Sequence, residues 1–258
     1  MSSAGAPRTP PSADPSPLST AALASGFATL ATPLVADACV RLGIAVGAGV
    51  AAAPAGIRPT LPGRRVAGRA RPARHAGSVD VFLEAIEVGA AGEVLVVDNA
   101  GRADEGCVGD LVTLAARQAG LAGMVVWGLH RDAEGIRALD FPIWSYGTFP
   151  FGPLRLDERS FDALTTARFG PAVVTADTVV FADEDGVLFL DAARAGDVLQ
   201  VARELAERES RQVELARAGR TLAEQLGLAE YLARRAADPA YTFGRHLRGR
   251  GGAIGEEK

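Results

Sequence analysis

Residues 94–132 read VLVVDNAGRADEGCVGDLVTLAARQAGLAGMVVWGLHRD, which places two apolar, β-rich runs on either side of a helical pattern. The runs at 94–97 and 124–127 have the composition of buried strands. From about Asp110 to Ala119 the apolar residues recur on one stripe, and a glycine follows as a typical helix stop. The order of strand, helix and strand predicts a βαβ unit with parallel strands and a right-handed crossover.

Three charged residues fall at one edge of this predicted unit. Asp110 begins the helix, where we expect it to act as the N-cap, and Arg131 and Asp132 stand just past the second strand. The start of the helix and the carboxyl ends of both strands share this edge, where open α/β sheets bind ligands. About ten helical residues run ~15 Å one way and about five strand residues return ~16 Å, so the three side chains can meet.

The residue types at this edge suit a small anion beside a metal ion. Free backbone N–H groups at the helix start, backed by the helix dipole, form a receptor for a carboxylate or phosphate; they belong to Gly109, Asp110, Leu111 and Val112. Arg131 can add a bidentate hydrogen bond, and Asp132 offers an oxygen ligand suited to Mg²⁺ or Mn²⁺. A 2-oxo acid fits this set. On spacing alone, an ordinary helix cap and a surface ion pair remain the competing interpretation.

Length, charge and cysteine content exclude several classes of protein. The chain has 258 residues, 48% hydrophobic and 22% charged, so we expect one domain with tails. Its net charge of -4 gives no field that attracts nucleic acid or an anionic membrane. No window approaches the ~20 apolar residues of a spanning helix, and two cysteines are too few for a disulfide framework. We therefore predict a soluble, cytoplasmic protein, with one structural disulfide left open.

The wider pattern predicts a leader, a domain and a tail. Residues 1–18, rich in Pro, Ser and Ala, are predicted to be a disordered leader; 19–215 an α/β domain; and 216–258 a C-terminal helical extension. In the domain we expect two N-terminal helices that break at Pro33 and short extended pieces joined by turns over 56–75. The other expected elements are helices at 79–89, 133–139 and 193–211 and strands at 142–146, 172–175, 178–182 and 187–190.

The segment GCVGDLVTLAARQAGLAGMVVWGLHRD, residues 106–132, resembles the central part of RraA-like proteins, in which an Asp is followed after twenty residues by Arg-Asp. The likeness continues in LVADACVRLGI from Leu34, GRRVAGRARP from Gly63, EVLVVDNAGR from Glu93 and VVFADEDGVLFL from Val179. It covers roughly residues 30–205, and the tail FGRHLRGRGGAIGEE is similar to longer members of the group.

This resemblance implies a fold, an assembly and an activity. The fold is a swivelling α/β/β sandwich, here with N- and C-terminal helical extensions, assembled as a homotrimer or hexamer. Some members are metal-dependent class II aldolases that cleave 4-hydroxy-4-methyl-2-oxoglutarate or 4-carboxy-4-hydroxy-2-oxoadipate to pyruvate, often with oxaloacetate decarboxylase activity. Others bind and inhibit ribonuclease E. We therefore predict a carbon–carbon lyase that acts on a small 2-oxo acid, the alternative being a non-enzymatic regulator of ribonuclease E or another protein.

Matching positions carry the family's site residues onto this chain. The resemblance implies that Asp132 ligates Mg²⁺, Mn²⁺ or another divalent ion, that Arg131 holds the pyruvyl group, and that Asp110 completes the site with the amides of Leu111 and Val112. The implied mechanism has the metal chelating the C1 carboxylate and C2 oxygen of the substrate. A base, such as a water held by Asp110, would remove the C4 hydroxyl proton.

Other polar residues receive secondary interpretations. Asp37 and the acidic turn 183–185 match acidic segments of the family and could orient metal-bound waters, also across a subunit boundary. A cluster of six arginines would favour the regulator, although such runs more often form a solvated or ion-pairing face; these are Arg58, Arg64, Arg65, Arg69, Arg71 and Arg74. The three histidines make no metal-ligand spacing, with His130 a candidate wall of the pocket. Cys107 is interpreted as a small buried side chain, because no activating base is identifiable.

Overall fold

The computed structural model describes residues 18–249, so the predicted leader, apart from Leu18, and the last part of the predicted extension, 250–258, lie outside the described residues. The helices of the described part are α1 (Thr20–Phe27), α2 (Thr32–Arg41), α3 (Asp80–Glu87), α4 (Asp110–Gln118), α5 (Ala133–Ala138), α6 (Ala195–Arg217), α7 (Leu222–Leu226), α8 (Leu228–Ala237) and α9 (Phe243–Arg248). The strands are β1 (Val50–Ala52), β2 (Arg58–Pro59), β3 (Val66–Arg74), β4 (Val94–Val108), β5 (Gly123–His130), β6 (Ile143–Ser145), β7 (Ala167–Phe169), β8 (Ala172–Val174), β9 (Thr178–Ala182) and β10 (Val187–Asp191).

A mixed sheet organises the molecule. Eight strands follow the order β1-β10-β9-β3-β4-β5-β6-β2, and β7 and β8 form a separate antiparallel pair. The four central strands β3, β4, β5 and β6 are parallel, whereas β9, β10, β1 and β2 join antiparallel to their neighbours. The chain is therefore a mixed α/β protein with one large sheet, which confirms the predicted fold class.

Alternating residues of β4 show how the layers form. Leu95 and Val97 belong to an apolar cluster with α3 and α4, whereas Val94 and Val96 belong to a second cluster that contains Phe169 of β7. Successive side chains of a strand point to opposite faces, so one run of apolar residues serves both layers. The central sheet thus lies between helices on one face and the small β7–β8 pair on the other.

The predicted βαβ unit is present as β4, α4 and β5. The first part of β4 pairs with β5 in regular parallel register, from Val94 opposite Gly123 to Asp98 opposite Trp127. The predicted strand ended at residue 97, but β4 continues to Val108 through three register shifts against β5. The positive φ of 53° at Ala100 marks the beginning of this irregular half.

Strand β3 corrects the expectation of short extended pieces over 56–75. It runs for nine residues; its first half pairs antiparallel with β9 over Val66–Arg69 and its second half pairs parallel with β4 over Ala70–Arg74. Pro72 lies in the second half, where β9 no longer pairs with the strand. A proline has no N–H to donate, so it is tolerated in a strand where one side lacks a partner.

The N-terminal helices form as predicted, but the break lies elsewhere. Pro33 is not in the break; it occupies the first turn of α2, where its missing N–H and fixed φ suit a helix start. Phe27 of α1 packs edge-on against Phe181 of β9, with ring centroids 5.2 Å apart.

In the described part, no single helix is long and apolar enough to cross a membrane; only α1 and α2 together reach such a length and composition, with a 102° bend between them.

The segment after residue 215 is helical where it is described. Helix α6 continues through the predicted boundary to Arg217, and α7, α8 and α9 follow. His246 and Leu247 of α9 are buried, and the Nε2 atom of His246 lies 3.0 Å from the carbonyl oxygen of Leu226. The division at residue 215 between domain and extension stays a prediction.

Candidate active site at the ends of strands β4 and β5

A cavity of about 300 Å³ lies where β4 ends, α4 begins and β5 ends. The backbone N–H of Arg131 donates to the carbonyl oxygen of Val108 at 2.8 Å and so ties together the chain at the ends of both strands. The structure brings all six sequence-predicted site residues to the wall of this cavity: Gly109, Asp110, Leu111, Val112, Arg131 and Asp132. Their functional roles stay a prediction.

The start of α4 differs from expectation in one respect. Gly109, with φ −125° and ψ −171°, is the N-cap, and Asp110 is the first helical residue. An N-cap has extended backbone, which Gly109 supplies, so Asp110 is not the cap. Within the described chain no side chain caps this helix start. The N–H groups of the first turn therefore remain available to a ligand that enters the cavity.

Asp132 is held in an unusual backbone conformation. Its φ of 57° and ψ of 40° are left-handed, and it serves as the N-cap residue of α5 without a side-chain capping bond. Its carboxylate Oδ2 lies 3.3 Å from Nε of Arg131, and the two side chains are 41% and 47% exposed. A left-handed non-glycine residue costs free energy, and such strain clusters at functional sites. With these exposures, both charged side chains are accessible from the cavity that they line.

Three glycines make room for the three charged residues. A β-carbon at Gly109 would collide with Oδ2 of Asp132, one at Gly135 would lie 2.8 Å from Oδ2 of Asp110, and one at Gly152 would lie 2.6 Å from Nη1 of Arg131. Gly109 was predicted as a site residue for its N–H, whereas Gly135 and Gly152 were not predicted. Their only sequence signal is their position, three residues after Asp132 and in a glycine-proline pair.

His75 forms another part of the cavity wall and was missed from the sequence. Its ring stacks on Phe82 with centroids 5.0 Å apart, and its Nδ1 lies 2.9 Å from Oδ1 of Asn99. Burial lowers the pKa of this imidazole, and the neighbouring Arg155 lowers it further, although the hydrogen bond with Asn99 raises it. The neutral ring is therefore the favoured form near neutral pH.

A buried polar network stands behind His75. Nη2 of Arg155 donates to Oδ1 of Asn99 and to Oε1 of Glu105, at 3.0 Å each, and its Nε donates to Oε2 of Glu105 at 3.2 Å. Asn99 and Glu105 are buried, and both lie in the irregular half of β4 that sequence patterns did not predict. The network holds the amide of Asn99 in one orientation.

Two residues considered from the sequence do not supply reactive groups to the cavity. His130 is buried with its Nδ1 2.7 Å from Oγ of Ser145, and it is not part of the cavity wall. Cys107 does line the wall, but burial raises the pKa of its thiol far above the usual range. A thiol that stays protonated is a poor nucleophile and a poor metal ligand. Cys107 and Cys39 are both free, so the disulfide left open by the sequence is not formed.

The carboxylates of the site fit one class of metal ion. Among residues 18–249 no group of three or more His, Cys, Asp or Glu side chains could enclose a metal. Mg²⁺ and Mn²⁺ keep several waters and need only one or two protein carboxylates, as the exposed Asp132 offers. The donor chemistry therefore fits a hydrated, hard cation and does not fit a closed structural zinc site.

In this chain the acidic turn 183–185 lies at the opposite end of the central strands from the candidate site. Ala182, which precedes it, pairs with Val66 at the start of β3, whereas the candidate site lies beyond the ends of β4 and β5. Both carboxylate oxygens of Asp183 accept hydrogen bonds from Thr32, from its backbone N and its Oγ1, at 2.7 Å each. Asp183 thus joins the hairpin to α2, and the exposed Asp37 lies on that same helix.

Comparisons with known proteins find two kinds of similar protein, which carry different names. A relative in Alcanivorax borkumensis is 31% identical over 38% of this chain and 59% of its own length, and one in Aromatoleum aromaticum is 32% identical over 40% and 64%. Both are named as candidate 4-hydroxy-4-methyl-2-oxoglutarate aldolases. The chain therefore matches less than two thirds of the length of either relative.

A solved structure supplies the second name. RraAS2 of Streptomyces coelicolor, described as an unusual member of the RNase ES inhibitor RraA protein family, is 29% identical. It aligns over 69% of this chain and 90% of its own, with a TM-score of 0.58. The family model called RraA-like, with the description Aldolase/RraA, matches residues 32–189, which include every predicted site residue. The chain therefore belongs to the RraA-like family.

Proposed function

We propose that the protein is a divalent-metal-dependent lyase of the aldolase type that releases pyruvate from a 4-hydroxy-2-oxo acid such as 4-hydroxy-4-methyl-2-oxoglutarate, and that it also decarboxylates oxaloacetate. The observation that carries this proposal is the meeting, in one cavity, of an uncapped helix start with Arg131 and Asp132. The names of the two bacterial relatives support the reaction class. We further propose that it works in the cytoplasm as a homotrimer or hexamer.

The chain's own groups divide the binding of the substrate between them. The N–H groups of Asp110, Leu111 and Val112 receive the C1 carboxylate, helped by the positive end of the α4 dipole. Arg131 donates to the oxygen atoms of the pyruvyl half. Asp132 would hold Mg²⁺ or Mn²⁺, and such an ion, when bound, polarises the 2-oxo group as a Lewis acid.

Cleavage requires that negative charge be stabilised on the pyruvyl half. When the C3–C4 bond breaks, its electron pair forms the enolate of pyruvate, with charge on the C2 oxygen. Arg131 lies beside that oxygen in the proposed binding mode, and a fixed guanidinium is most effective where water is partly excluded. Loss of carbon dioxide from oxaloacetate gives the same enolate, so one site serves both reactions.

The regulator alternative rests on the arginine cluster, of which three members pair with carboxylates of the same chain. Arg64 pairs with Asp140 at 2.5 Å, Arg71 with Glu93 at 2.7 Å, and Arg74 with Asp162 at 2.9 Å. Guanidinium groups with partners in their own chain leave less free charge for an acidic surface on another protein. We therefore rank the lyase first.

A panel of 2-oxo acids, assayed for pyruvate with Mg²⁺, with Mn²⁺ and with a chelator, tests the proposal. We expect metal-dependent release from at least one 4-hydroxy-2-oxo acid and from oxaloacetate, and loss of both activities in Arg131→Ala. A matched control is Arg137→Ala, an exposed arginine of α5 outside the cavity wall. Absence of pyruvate with every acid and both metals would leave the regulator as the better function.

A further inference from the structure

His75 is a second functional group in the candidate cavity that the proposed binding mode leaves unused. His75 follows directly after the last residue of β3, the strand that pairs with β4. It lines the cavity wall together with Arg131 and Asp132. A cavity of about 300 Å³ has the size of a small-molecule site, and His75 and Arg131 both border it. A 2-oxo acid bound there can therefore approach this ring.

The hydrogen bonds around His75 determine which ring nitrogen carries the proton. Arg155 donates to Oδ1 of Asn99 at 3.0 Å, and this fixes Oδ1 as the acceptor of the amide. The same Oδ1 lies 2.9 Å from Nδ1 of His75, so Nδ1 is the protonated nitrogen that donates to it. Nε2 then carries the lone pair, and the described chain offers it no hydrogen-bond partner.

The position of this network also determines where Nε2 points. His75 separates the candidate cavity from a second one of about 410 Å³, whose wall includes Arg155. Nδ1 points to Asn99 and lies 3.4 Å from Nη2 of Arg155, on the side of the second cavity. Because Nδ1 is engaged by Asn99 and lies against Arg155, Nε2 is the ring nitrogen left to meet a ligand in the candidate cavity that His75 lines.

We propose that His75 is the acid–base residue of the lyase: Nε2 takes the proton of the substrate's C4 hydroxyl and returns it to C3 of the pyruvate enolate. This inference rests on the proposed function. The O–H electron pair becomes the new carbonyl bond at C4 as the C3–C4 pair forms the enolate. The imidazolium then protonates C3, which gives the methyl group of pyruvate and regenerates neutral His75, so protons and electrons balance.

The groups that face His75 allow both protonation states. Glu105 lies 3.6 Å from Nδ1 and stabilises the transient imidazolium, as does the more distant Asp157, whereas Arg155 opposes it. On the cavity side the charged groups are Asp110, Arg131 and Asp132. Burial keeps the pKa of His75 below its ordinary value of about 6.5, so the base form predominates at neutral pH. We expect kcat to fall as the pH drops through that lowered pKa.

His75→Asn separates catalysis from structure. The Asn amide can replace Nδ1–H as donor to Asn99 but has no second nitrogen to accept a proton. We expect kcat to fall about 10²–10⁴-fold with little change in KM, with loss of the acidic limb of the pH profile. In His75→Ala, added imidazole should restore part of kcat, and it should not do so in Arg131→Ala. His246→Asn, in a helix far along the chain, should keep wild-type kcat.

The outcomes distinguish this inference from the proposed function. A wild-type protein that releases no pyruvate overturns both; an active wild type with a fully active His75→Asn overturns the role of His75 alone. If the variants do not fold, the wild type still gives a test, because the chain has only three histidines to resolve by NMR. Oxalate with Mg²⁺ should shift the ring signals of His75 and not those of His246. Saturable oxalate binding without a shift at His75 would overturn the inference.

Discussion

The starts of helices α2 and α4 both lie near aspartate carboxylates, but only at α2 does a carboxylate bind the helix start. At α2 the buried carboxylate of Asp183 accepts hydrogen bonds from N and Oγ1 of Thr32. At α4 two carboxylates are close, those of Asp110 and Asp132, yet neither caps the first turn. The Asp132 side chain is 41% exposed beside its cavity.

The difference separates a structural joint from a candidate binding site. A carboxylate that accepts a hydrogen bond from a backbone N–H at a helix start makes that donor unavailable to a ligand. A carboxylate that stands beside an uncapped start leaves the donors and the dipole to an incoming anion. An acidic side chain near a helix start therefore does not by itself indicate a binding site. The groups that its carboxylate oxygens bind decide whether the helix start is capped or open.

The largest expected effect comes from Asp132→Asn. The variant removes the proposed metal ligand, and the lost Lewis acid is worth several kcal/mol in the transition state, so we expect kcat/KM for pyruvate release to fall about 10³-fold or more. Asparagine tolerates the left-handed backbone at this position, so the free energy of unfolding should stay within about 0.5 kcal/mol of wild type. Unaltered metal-dependent activity would show that Asp132 is not the ligand.

Gly109→Ala tests the close approach of α4 to Asp132. The backbone of Gly109 suits alanine, so the effect should come from the collision of the new β-carbon with Oδ2 of Asp132. We expect a loss of about 10²-fold in kcat/KM, since displacement by about 1 Å is enough for such a loss. Gly196→Ala in α6 is the control, because a β-carbon there meets no atom of residues 18–249 within 4 Å. Equal activities of the two variants would contradict the proposed packing of the site.

Asp183→Ala should show the opposite profile to Asp132→Asn. It removes two charge-assisted hydrogen bonds in a buried place, so we expect the free energy of unfolding to fall by about 3 kcal/mol, with kcat per folded molecule unchanged. Thr32→Val removes only the Oγ1 bond and should cost about 1 kcal/mol. Denaturant unfolding monitored by circular dichroism measures both. A large loss of kcat in folded Asp183→Ala would mean that the turn acts on the site after all.

The smallest expected effect concerns the cysteines. Burial raises the pKa of the Cys39 thiol to about 11 and that of Cys107 beyond the usual range. Both thiols should stay protonated and unlabelled by a disulfide reagent at pH 8, and both should react after unfolding. Cys107→Ser should retain wild-type kcat even though Cys107 lines the cavity. Rapid labelling of the native protein with loss of activity would assign Cys107 a chemical role.

The meeting of Asp110, Arg131 and Asp132 could be predicted because it depends on one local rule. In a βαβ unit the helix start and the end of the next strand share an edge, and the apolar patterns of β4, α4 and β5 are clear in the sequence. The cap was misplaced by one residue because Gly109 supplies the extended backbone that a polar residue was expected to supply.

His75 and its network could not be predicted in the same way. His75 follows β3, whose Gly, Pro and Arg content is not typical of a strand. The first half of β3 pairs with β9 and its second half pairs with β4. Asn99 and Glu105 lie where β4 shifts register three times, so no period of two shows which side chains point inward. Nonlocal pairing determines these positions, and residues 75 and 99 meet only once β3 and β4 are side by side.

The groups proposed to bind the substrate carboxylate occupy a short, continuous segment of 24 residues, Gly109 to Asp132. The wall with His75 is supplied from a distant part of the chain. If the proposed function holds, changes in that wall can alter which leaving group the cavity accepts while the binding of the pyruvyl half is preserved. A scaffold divided in this way can acquire new substrates by exchanging one side of the cavity at a time.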